Sequence, residues 1–277
     1  MATTDVRRVI PLTYGWEHFP KCISTPRGPD PDRMMRQPVP GLLIDVGDGF
    51  VLFDTGFNAA VVRDPFLYER YWGPPERAMG LDRIVELAGP SDADPLLAAF
   101  ELVEVDPADV VAVVVSHFHN DHSGGVRIFA GHVPVHVQRL EYDFAFGDPR
   151  TAETEYMHLI DVDHPRTDWR RADGDVEIAP GVTALLSVGH TPGHQSLMVE
   201  MPDGSGYVFA ADAADLQENI DDETPVSTLT GQDPETTVEA IRRLKAISAE
   251  RGFRLVPGHD PVVWPTFAAE LGVTMFS

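Results

Sequence analysis

The hexapeptide HFHNDH, at positions 117–122, holds four residues of the types that bind metal ions in proteins. His117 and His119 are two positions apart, which in an extended segment places both rings on one side, where a single ion can take both. Asp121 and His122 follow and, being adjacent, can point to a different place. A chance polar loop is the plain alternative, but the spacing predicts a metal centre with room for two ions.

A complete centre needs more ligands than this hexapeptide supplies, and three residues elsewhere in the chain fit. His194 lies in GHTPGHQS, Asp212 in FAADAAD and His259 in PGHD, each just past a segment that is typical of a β-strand. The single cysteine, Cys22, excludes a cysteine-rich zinc site. The ligands of the predicted centre are therefore histidine and carboxylate.

Strands and helices must bring these segments together. The β-branched run 110–115 is typical of a fully buried strand and delivers the hexapeptide to the carboxyl end of that strand. The pattern also predicts a hairpin of 42–46 with 50–53, and strands at 133–137, 182–188, 196–201, 207–210 and 253–256. Helices are predicted near 81–87, over 139–160 with aromatic interruptions, and from Asp233 as N-cap up to Gly252. Strands that pair as hairpins and strands that alternate with helices together favour a layered α/β protein with mixed sheets.

The length of the chain, 277 residues, is enough to bury one sizeable core, and we expect a single domain over residues 1–277. Prolines interrupt the pattern over residues 57–102, which we interpret as a variable insertion. The segment 139–170 is interpreted as a lid. Its candidate substrate contacts, for which core packing is the alternative, are Tyr142, Phe144 and Phe146.

The charge of the chain limits its partners. The formal net charge is −23, and nucleic-acid binding relies mainly on lysine and arginine, so no nucleic-acid partner is expected. No apolar stretch approaches the roughly 20 residues that span a bilayer, and no secretory signal is recognised at the amino terminus. We expect a cytoplasmic protein without a membrane partner that acts on a small molecule, and a homodimer is the one assembly considered.

Five separated motifs occur in the order of a known family. HFHNDH matches an HxHxDH signature, preceded by the DTG at positions 54–56 and followed by PGHQS, Asp212 and the final GHD. In these motifs the chain resembles the metallo-β-lactamase superfamily and, within it, the N-acyl-homoserine-lactone lactonases and the related pyridoxolactonase. The resemblance implies an αβ/βα sandwich, in which two mixed β-sheets are flanked by helices and the metal site lies at one edge.

The resemblance also divides the ligands between two ions. It implies that one ion is held by His117, His119 and His194, and the other by Asp121, His122 and His259, with Asp212 as the bridge. His190 lies four residues before His194, and we prefer His194 because PGHQS matches the family segment. Asp54 is expected to orient the loop or a ligand rather than to bind metal. Two divalent ions are expected, with Zn²⁺ favoured and Mn, Fe or Co fitting the same ligands.

These ions define the expected reaction. Two metals about 3.5–4 Å apart can share a water and lower its pKa, so that a bridging hydroxide attacks a lactone carbonyl. Asp121 or Asp212 then passes a proton to the leaving alkoxide. The lactonases carry a tyrosine three residues after the bridging aspartate, whereas this chain has Asp215, which becomes a candidate substrate contact and weakens the match to a quorum-quenching substrate.

Other functions fit the same resemblance. They are thioester hydrolysis of the glyoxalase II type, hydrolysis of another small ester or a β-lactam, iron-based redox chemistry, and metal binding without catalysis. A lactone hydrolase is the leading hypothesis.

Overall fold

The computed structural model describes residues 4–72, 84–147, 159–228 and 231–276. Its strands are β1 Arg8–Pro20, β2 Met34–Asp45, β3 Phe50–Phe53, β4 Val85–Leu87, β5 Val110–Val114, β6 Pro134–Gln138, β7 Asp168–Ala172, β8 Val176–Ala179, β9 Val182–Leu186, β10 Gln195–Glu200, β11 Gly206–Phe209 and β12 Arg254–Val256. Its helices are α1 Ala59–Arg63, α2 Pro65–Trp72, α3 Pro95–Leu102, α4 Asn120–Ser123, α5 Arg139–Gly147, α6 Leu159–Val162, α7 Gln217–Asp222, α8 Pro234–Arg251 and α9 Val263–Glu270. Single 3-10 turns lie at Lys21–Ile23, Pro107–Asp109, Val126–Phe129 and Ala211–Ala213.

The strands form two mixed sheets. The first has the order β4-β1-β2-β3-β5-β6-β7 and the second the order β12-β11-β10-β9-β8. In the first sheet the pairs on the β1 side are antiparallel, and β3, β5, β6 and β7 run parallel. In the second sheet only β11 and β12 are a parallel pair. Parallel strands end at a common edge, which is where the candidate ligands follow.

The core consists of layers, because alternate residues of a strand face opposite sides of its sheet. Leu42 and Ile44 of β2 pack between the two sheets, together with residues of β9 to β12. Leu43, which lies between them in the sequence, faces the other side and belongs to the same core cluster as Phe100 of α3. On the outer face of the second sheet, residues of α8 such as Leu244 form a third cluster. The predicted αβ/βα sandwich of two mixed sheets flanked by helices is confirmed.

The helix predicted near 81–87 is wrong over its described part. Val85–Leu87 is β4, which pairs antiparallel with β1 at the edge of the first sheet. A run of three residues is too short to show a helical or strand period, so its partner decides its conformation. Part of the segment interpreted as an insertion, 57–102, thus extends the sheet. Residues 73–83 lie outside the described part of the chain.

The lid interpretation covers 139–170, of which 148–158 lie outside the described residues. Its described part contains α5, α6 and the start of β7. A lid function and a single domain over 1–277 stay predictions. None of the helices in the described ranges is both long and apolar enough to cross a membrane.

Candidate metal centre

Three predicted ligands lie three residues beyond the end of a strand: His117 after β5, Asp212 after β11 and His259 after β12. Their residues are buried, with exposed fractions of 0%, 6% and 4%. β5 belongs to the first sheet, and β11 and β12 belong to the second. The ligands therefore meet where the carboxyl ends of these three strands come together. The sandwich therefore joins distant parts of the sequence at one edge.

The first group of candidate ligands comprises His117, His119, His190 and Asp212, whose ligand atoms all lie within 4.8 Å of one another. Nδ1 of His119 is 2.9 Å from Nε2 of His117 and 3.0 Å from Nε2 of His190. Oδ2 of Asp212 lies 3.3 Å from Nε2 of His190. Three imidazoles and one carboxylate form a ligand set that suits Zn²⁺ and other first-row metal ions.

The second group comprises Asp121, His122 and His259. Nε2 of His122 lies 2.9 Å from Oδ2 of Asp121 and 3.1 Å from Oδ1 of Asp212. The same Oδ1 is 3.0 Å from Nε2 of His259. Asp212 thus directs Oδ2 to the first group and Oδ1 to the second, which is the arrangement expected of a bridging carboxylate.

The outer nitrogens of two ligand rings are fixed by carbonyl oxygens. Nδ1 of His190 lies 2.8 Å from the Ser227 oxygen, and Nδ1 of His259 lies 2.8 Å from the Pro38 oxygen. A carbonyl only accepts hydrogen bonds, so each Nδ1 carries the hydrogen and, in the neutral ring, Nε2 presents its lone pair to the neighbouring ligands. Such facing lone pairs need a cation or a proton between them. The residues therefore fit metal ions. Backbone carbonyls orient the His190 and His259 rings, as is usual for histidines that bind metal.

The structure places His190, rather than the predicted ligand His194, in the first group. Nδ1 of His194 is 2.8 Å from Oγ of Ser187, and Nε2 accepts a hydrogen bond from the backbone N–H of Asp212 at 3.1 Å. A neutral imidazole has only one acceptor nitrogen, so His194 has none left for an ion. It orients the Asp212 backbone instead. The signal was present in the sequence, because His190 follows β9 as other ligands follow strands, whereas His194 directly precedes β10.

The charged groups of the centre shift one another's pKa. Burial raises the pKa of Asp212, but His122 and His259 outweigh burial and hold it well below its usual range. Burial lowers the pKa of His259, while Asp212 and other carboxylates raise it to about 10. A proton on His259 can thus balance the carboxylate charge, and metal binding would release that proton. Burial lowers the pKa of His194 to about 3, which agrees with a neutral acceptor ring.

Asp54 has the geometry of the orienting role that was predicted for it. It follows β3 with a φ of 59°, a left-handed conformation that is uncommon for aspartate. Its Oδ1 accepts the backbone N–H of Ser116 at 2.7 Å, and its Oδ2 lies 2.8 Å from Nδ1 of His122. The Tyr14 hydroxyl donates to its carbonyl oxygen at 3.1 Å. Asp54 therefore contacts a candidate ligand from outside the two groups.

Glu141, which the sequence analysis did not single out, is fully buried at the start of α5. Its Oε1 accepts the backbone N–H of Phe118 at 3.0 Å. Its Oε2 accepts the Thr191 hydroxyl at 2.7 Å and the backbone N–H of Gly193 at 3.0 Å. Burial raises the pKa of Glu141 to about 7, although these hydrogen bonds oppose the shift. One carboxylate thus joins the HxHxDH loop to the GHTPGH loop.

Two further carboxyl groups lie near the second group. Asp215 is buried, and its Oδ1 has no hydrogen-bond partner among the described residues. Burial and then the charge of Asp212 raise the pKa of Asp215 to about 8, against a hydrogen bond from Ser24. Burial and then the charge of Asp121 raise the pKa of Glu17, a partly buried residue of β1, well above its usual range.

The three aromatic residues predicted as substrate contacts lie on α5 and pack against the first-sheet core. The Tyr142 ring centroid is 4.5 Å from that of Phe146 and 5.9 Å from that of Trp169. Phe144 belongs to the same partly buried set. These contacts agree with the core-packing alternative, and substrate binding by these residues stays a prediction.

The sequence profile of the metallo-β-lactamase superfamily matches residues 36–259 of the chain. The chain belongs to this superfamily. Among the curated relatives of this superfamily member, N-acyl homoserine lactonase AiiA of Bacillus thuringiensis subsp. kurstaki is 31% identical over 230 residues, covering 83% of this chain and 84% of the relative. N-acyl homoserine lactonase AttM of Azorhizobium caulinodans is 30% identical over 238 residues, with the same two coverages of 83% and 84%. The recognition made from the motifs is confirmed.

Solved structures of the superfamily agree with these relatives. A structure of a mutant of B. thuringiensis AiiA, with N-decanoyl-L-homoserine bound at the active site, has a TM-score of 0.77 and 27% identity, covering 94% of this chain and 95% of that one. A structure of an N-acyl homoserine lactone hydrolase, with the product N-hexanoyl-L-homoserine bound at the catalytic metal centre, has the same score, identity and coverages: 0.77, 27%, 94% and 95%. This chain therefore shares its fold with the proteins of these two structures.

Proposed function

We propose that the protein is a metal-dependent hydrolase that opens the ring of an N-acyl homoserine lactone or a related small lactone. The observation that carries this proposal is the carboxylate of Asp212, whose Oδ2 faces the first group and whose Oδ1 faces the second. The lactonase relatives, at 30% and 31% identity over most of the chain, support the same reaction that the motifs predicted.

Two divalent ions, for which we propose Zn²⁺, would activate a water and polarise the lactone carbonyl when bound to the two groups. The chain itself supplies the orientation. His190 and His259 are held by backbone carbonyls, and both oxygens of Asp212 are directed at histidines. We assign to Asp121 the transfer of a proton to the leaving alkoxide oxygen, since Asp212 is held at both of its oxygens.

We also propose that Asp215 contacts the substrate. A buried polar atom is normally hydrogen-bonded, and Oδ1 of Asp215 has no such partner among the described residues. The backbone N–H of His259 donates to the Asp215 carbonyl oxygen at 2.8 Å, which places Asp215 beside a residue of the second group. A polar group of the substrate beside the lactone ring is the partner we assign to this oxygen.

A turnover screen tests the proposed function. The metal-loaded full chain is incubated with N-hexanoyl-homoserine lactone, a γ-lactone without an acylamino group, S-lactoylglutathione and a cephalosporin. We expect proton release from the lactones, and a loss of roughly 100-fold or more in Asp212→Asn, comparable to removing one group that stabilises a transition state. Turnover of the thioester alone would refute the lactonase proposal.

Three finer properties remain our proposals from the sequence. We propose zinc as the ion, a homodimer as the assembly and the cytoplasm as the location. Elemental analysis of protein purified without added metal, the mass of the particle in solution and cell fractionation test them in turn. Iron as the main metal, a monomer at working concentration or recovery in a membrane fraction would each contradict one of these proposals.

A further inference from the structure

We propose that Glu141 is a positioning residue that sets the spacing between the His117–His119 loop and the His190 loop, and so sets the affinity of the first group for its ion. This inference goes beyond lactone hydrolysis, because it concerns metal loading and holds whatever the substrate is. The hydrogen bonds described for Glu141 come from Phe118, Thr191 and Gly193, and none of these residues is a candidate ligand or proton carrier. It acts through the backbone and hydroxyl groups beside the ligands.

The contacts of Glu141 fall on residues adjacent to the ligands. Phe118, which donates its N–H to Oε1 at 3.0 Å, lies between His117 and His119 in the sequence. Thr191, which donates its hydroxyl to Oε2 at 2.7 Å, directly follows His190. A displacement of either donor therefore displaces a ligand of the first group.

The loop of His190 also packs closely on the start of α5. A Cβ added to Gly193 would meet the backbone nitrogen of Glu141 at 2.1 Å and its Cα at 2.6 Å, so only glycine allows this approach. The Gly193 N–H donates to Oε2 at 3.0 Å from the same position. The contact between the loop and the helix is thus built around this carboxylate.

Another hydrogen bond joins the same two loops at their strand ends. The backbone N–H of Gln195 donates to the Ser116 oxygen at 2.9 Å. Ser116 lies before His117 in the sequence, and Gln195 lies after His190. The bond therefore does not fix the segments that hold these ligands. Glu141 holds Phe118 and Thr191 inside those segments. Its role is therefore distinct from that of the backbone bond.

Glutamine is the most selective replacement for Glu141, because it keeps the size of the side chain and changes its charge and hydrogen bonding. The carboxylate offers two acceptor oxygens to three donors, whereas an amide offers one oxygen and turns an NH₂ group towards N–H or O–H donors. Groups that orient metal ligands typically change metal affinity by about 10–100-fold when they are mutated. We expect a weakening of that size in Glu141→Gln.

The experiment measures each group separately by competition with a chromophoric chelator, using Co²⁺ and Zn²⁺ on the full chain. In a His259→Ala background the first group is the intact one, and there Glu141→Gln should weaken binding about 10–100-fold. In a His190→Ala background the second group is the intact one, and there Glu141→Gln should leave affinity unchanged. The Co²⁺ absorption spectrum of the first group should also shift, because the ligand geometry changes.

Asp161→Asn is the matched control. Asp161 is also a fully buried carboxylate, and the hydrogen bond described for it, from Nδ2 of Asn58 to Oδ1 at 2.8 Å, comes from a residue outside the ligand loops. We expect unchanged metal affinity in this variant even where its melting temperature falls. Three results would each overturn the proposal. The control could lose as much metal affinity as Glu141→Gln, Glu141→Gln could weaken both groups equally, or it could leave the affinity of the first group unchanged.

If Glu141→Gln does not fold, Thr191→Val answers the same question. It removes one of the three donors and leaves the carboxylate in place. We then expect a smaller, several-fold loss of affinity confined to the first group, and unchanged affinity of that group would overturn the proposal.

Discussion

Replacing Glu141 by glutamine should also change how the stability of the metal-free protein depends on pH. Burial raises the pKa of Glu141 from 4.5 to about 7. The unfolded chain therefore releases this proton at lower pH than the folded chain does, and stability falls as the pH rises from 4.5 towards 7. At about 1.4 kcal/mol per pKa unit, the loss amounts to about 3 kcal/mol and is complete above pH 7.

Glutamine does not ionise, so the variant lacks this loss. Between pH 4.5 and 8, the difference in unfolding free energy between variant and wild type should move by about 3 kcal/mol in favour of glutamine. The broken hydrogen bonds add a separate cost of about 1–3 kcal/mol. The prediction therefore concerns the slope of the difference with pH rather than its sign at one pH.

Urea denaturation in the presence of a chelator, at several pH values between 4.5 and 8, measures this slope. The histidines of the two groups also have shifted pKa values, but they are present in both proteins, so their contributions cancel in the difference. Parallel stability profiles for the two proteins would refute the reasoning, because they would show that Glu141 carries no shifted pKa in the folded chain.

Three other experiments, with five substitutions in all, test separate parts of the site. Elemental analysis after dialysis should show that His190→Ala loses one ion, whereas His194→Ala keeps both ions and binds them more weakly. Loss of an ion only in His194→Ala would instead support His194 as the ligand. Asp54→Asn should weaken the second group about 10–100-fold in a competition titration, and an unchanged affinity would remove its orienting role. Gly193→Ala, whose Cβ would lie 2.1 Å from a backbone nitrogen, should destabilise the fold by about 1–3 kcal/mol in thermal denaturation. Gly147→Ala, where nothing lies within 4 Å of the added Cβ, should not, and equal effects would contradict the packing argument.

Six of the seven residues predicted as ligands lie in the two groups of the structure, because few residue types bind metal and their segments follow strands. The structure has His190 in the place predicted for His194, and this difference depends on which ring nitrogen accepts the Asp212 N–H in the folded chain. Glu141 was missed for a related reason. Two of its three donors are backbone N–H groups on distant loops, and no residue type marks such a partner.

Four of the five strands of the second sheet and α8 were predicted closely, because their hydrophobic periods and caps are local, whereas β8 was missed. Asp233 does cap α8, accepting the N–H of Glu235 at 3.1 Å. β1 was missed, although it is the longest of the described strands, and β2 was predicted only at its end. Prolines in both obscure the strand pattern. β7 was missed because it is mostly exposed and charged, so it lacks the apolar alternation of a buried strand.

The two oxygens of Asp212 also determine how the ions would depend on each other. An ion on one oxygen orients the carboxylate for the other, which favours the second binding event, while the repulsion between two divalent cations opposes it. Linkage requires that each ion change the affinity for the other by the same factor. The fraction of protein that holds one ion at limiting metal thus measures the net cooperativity between the two ions.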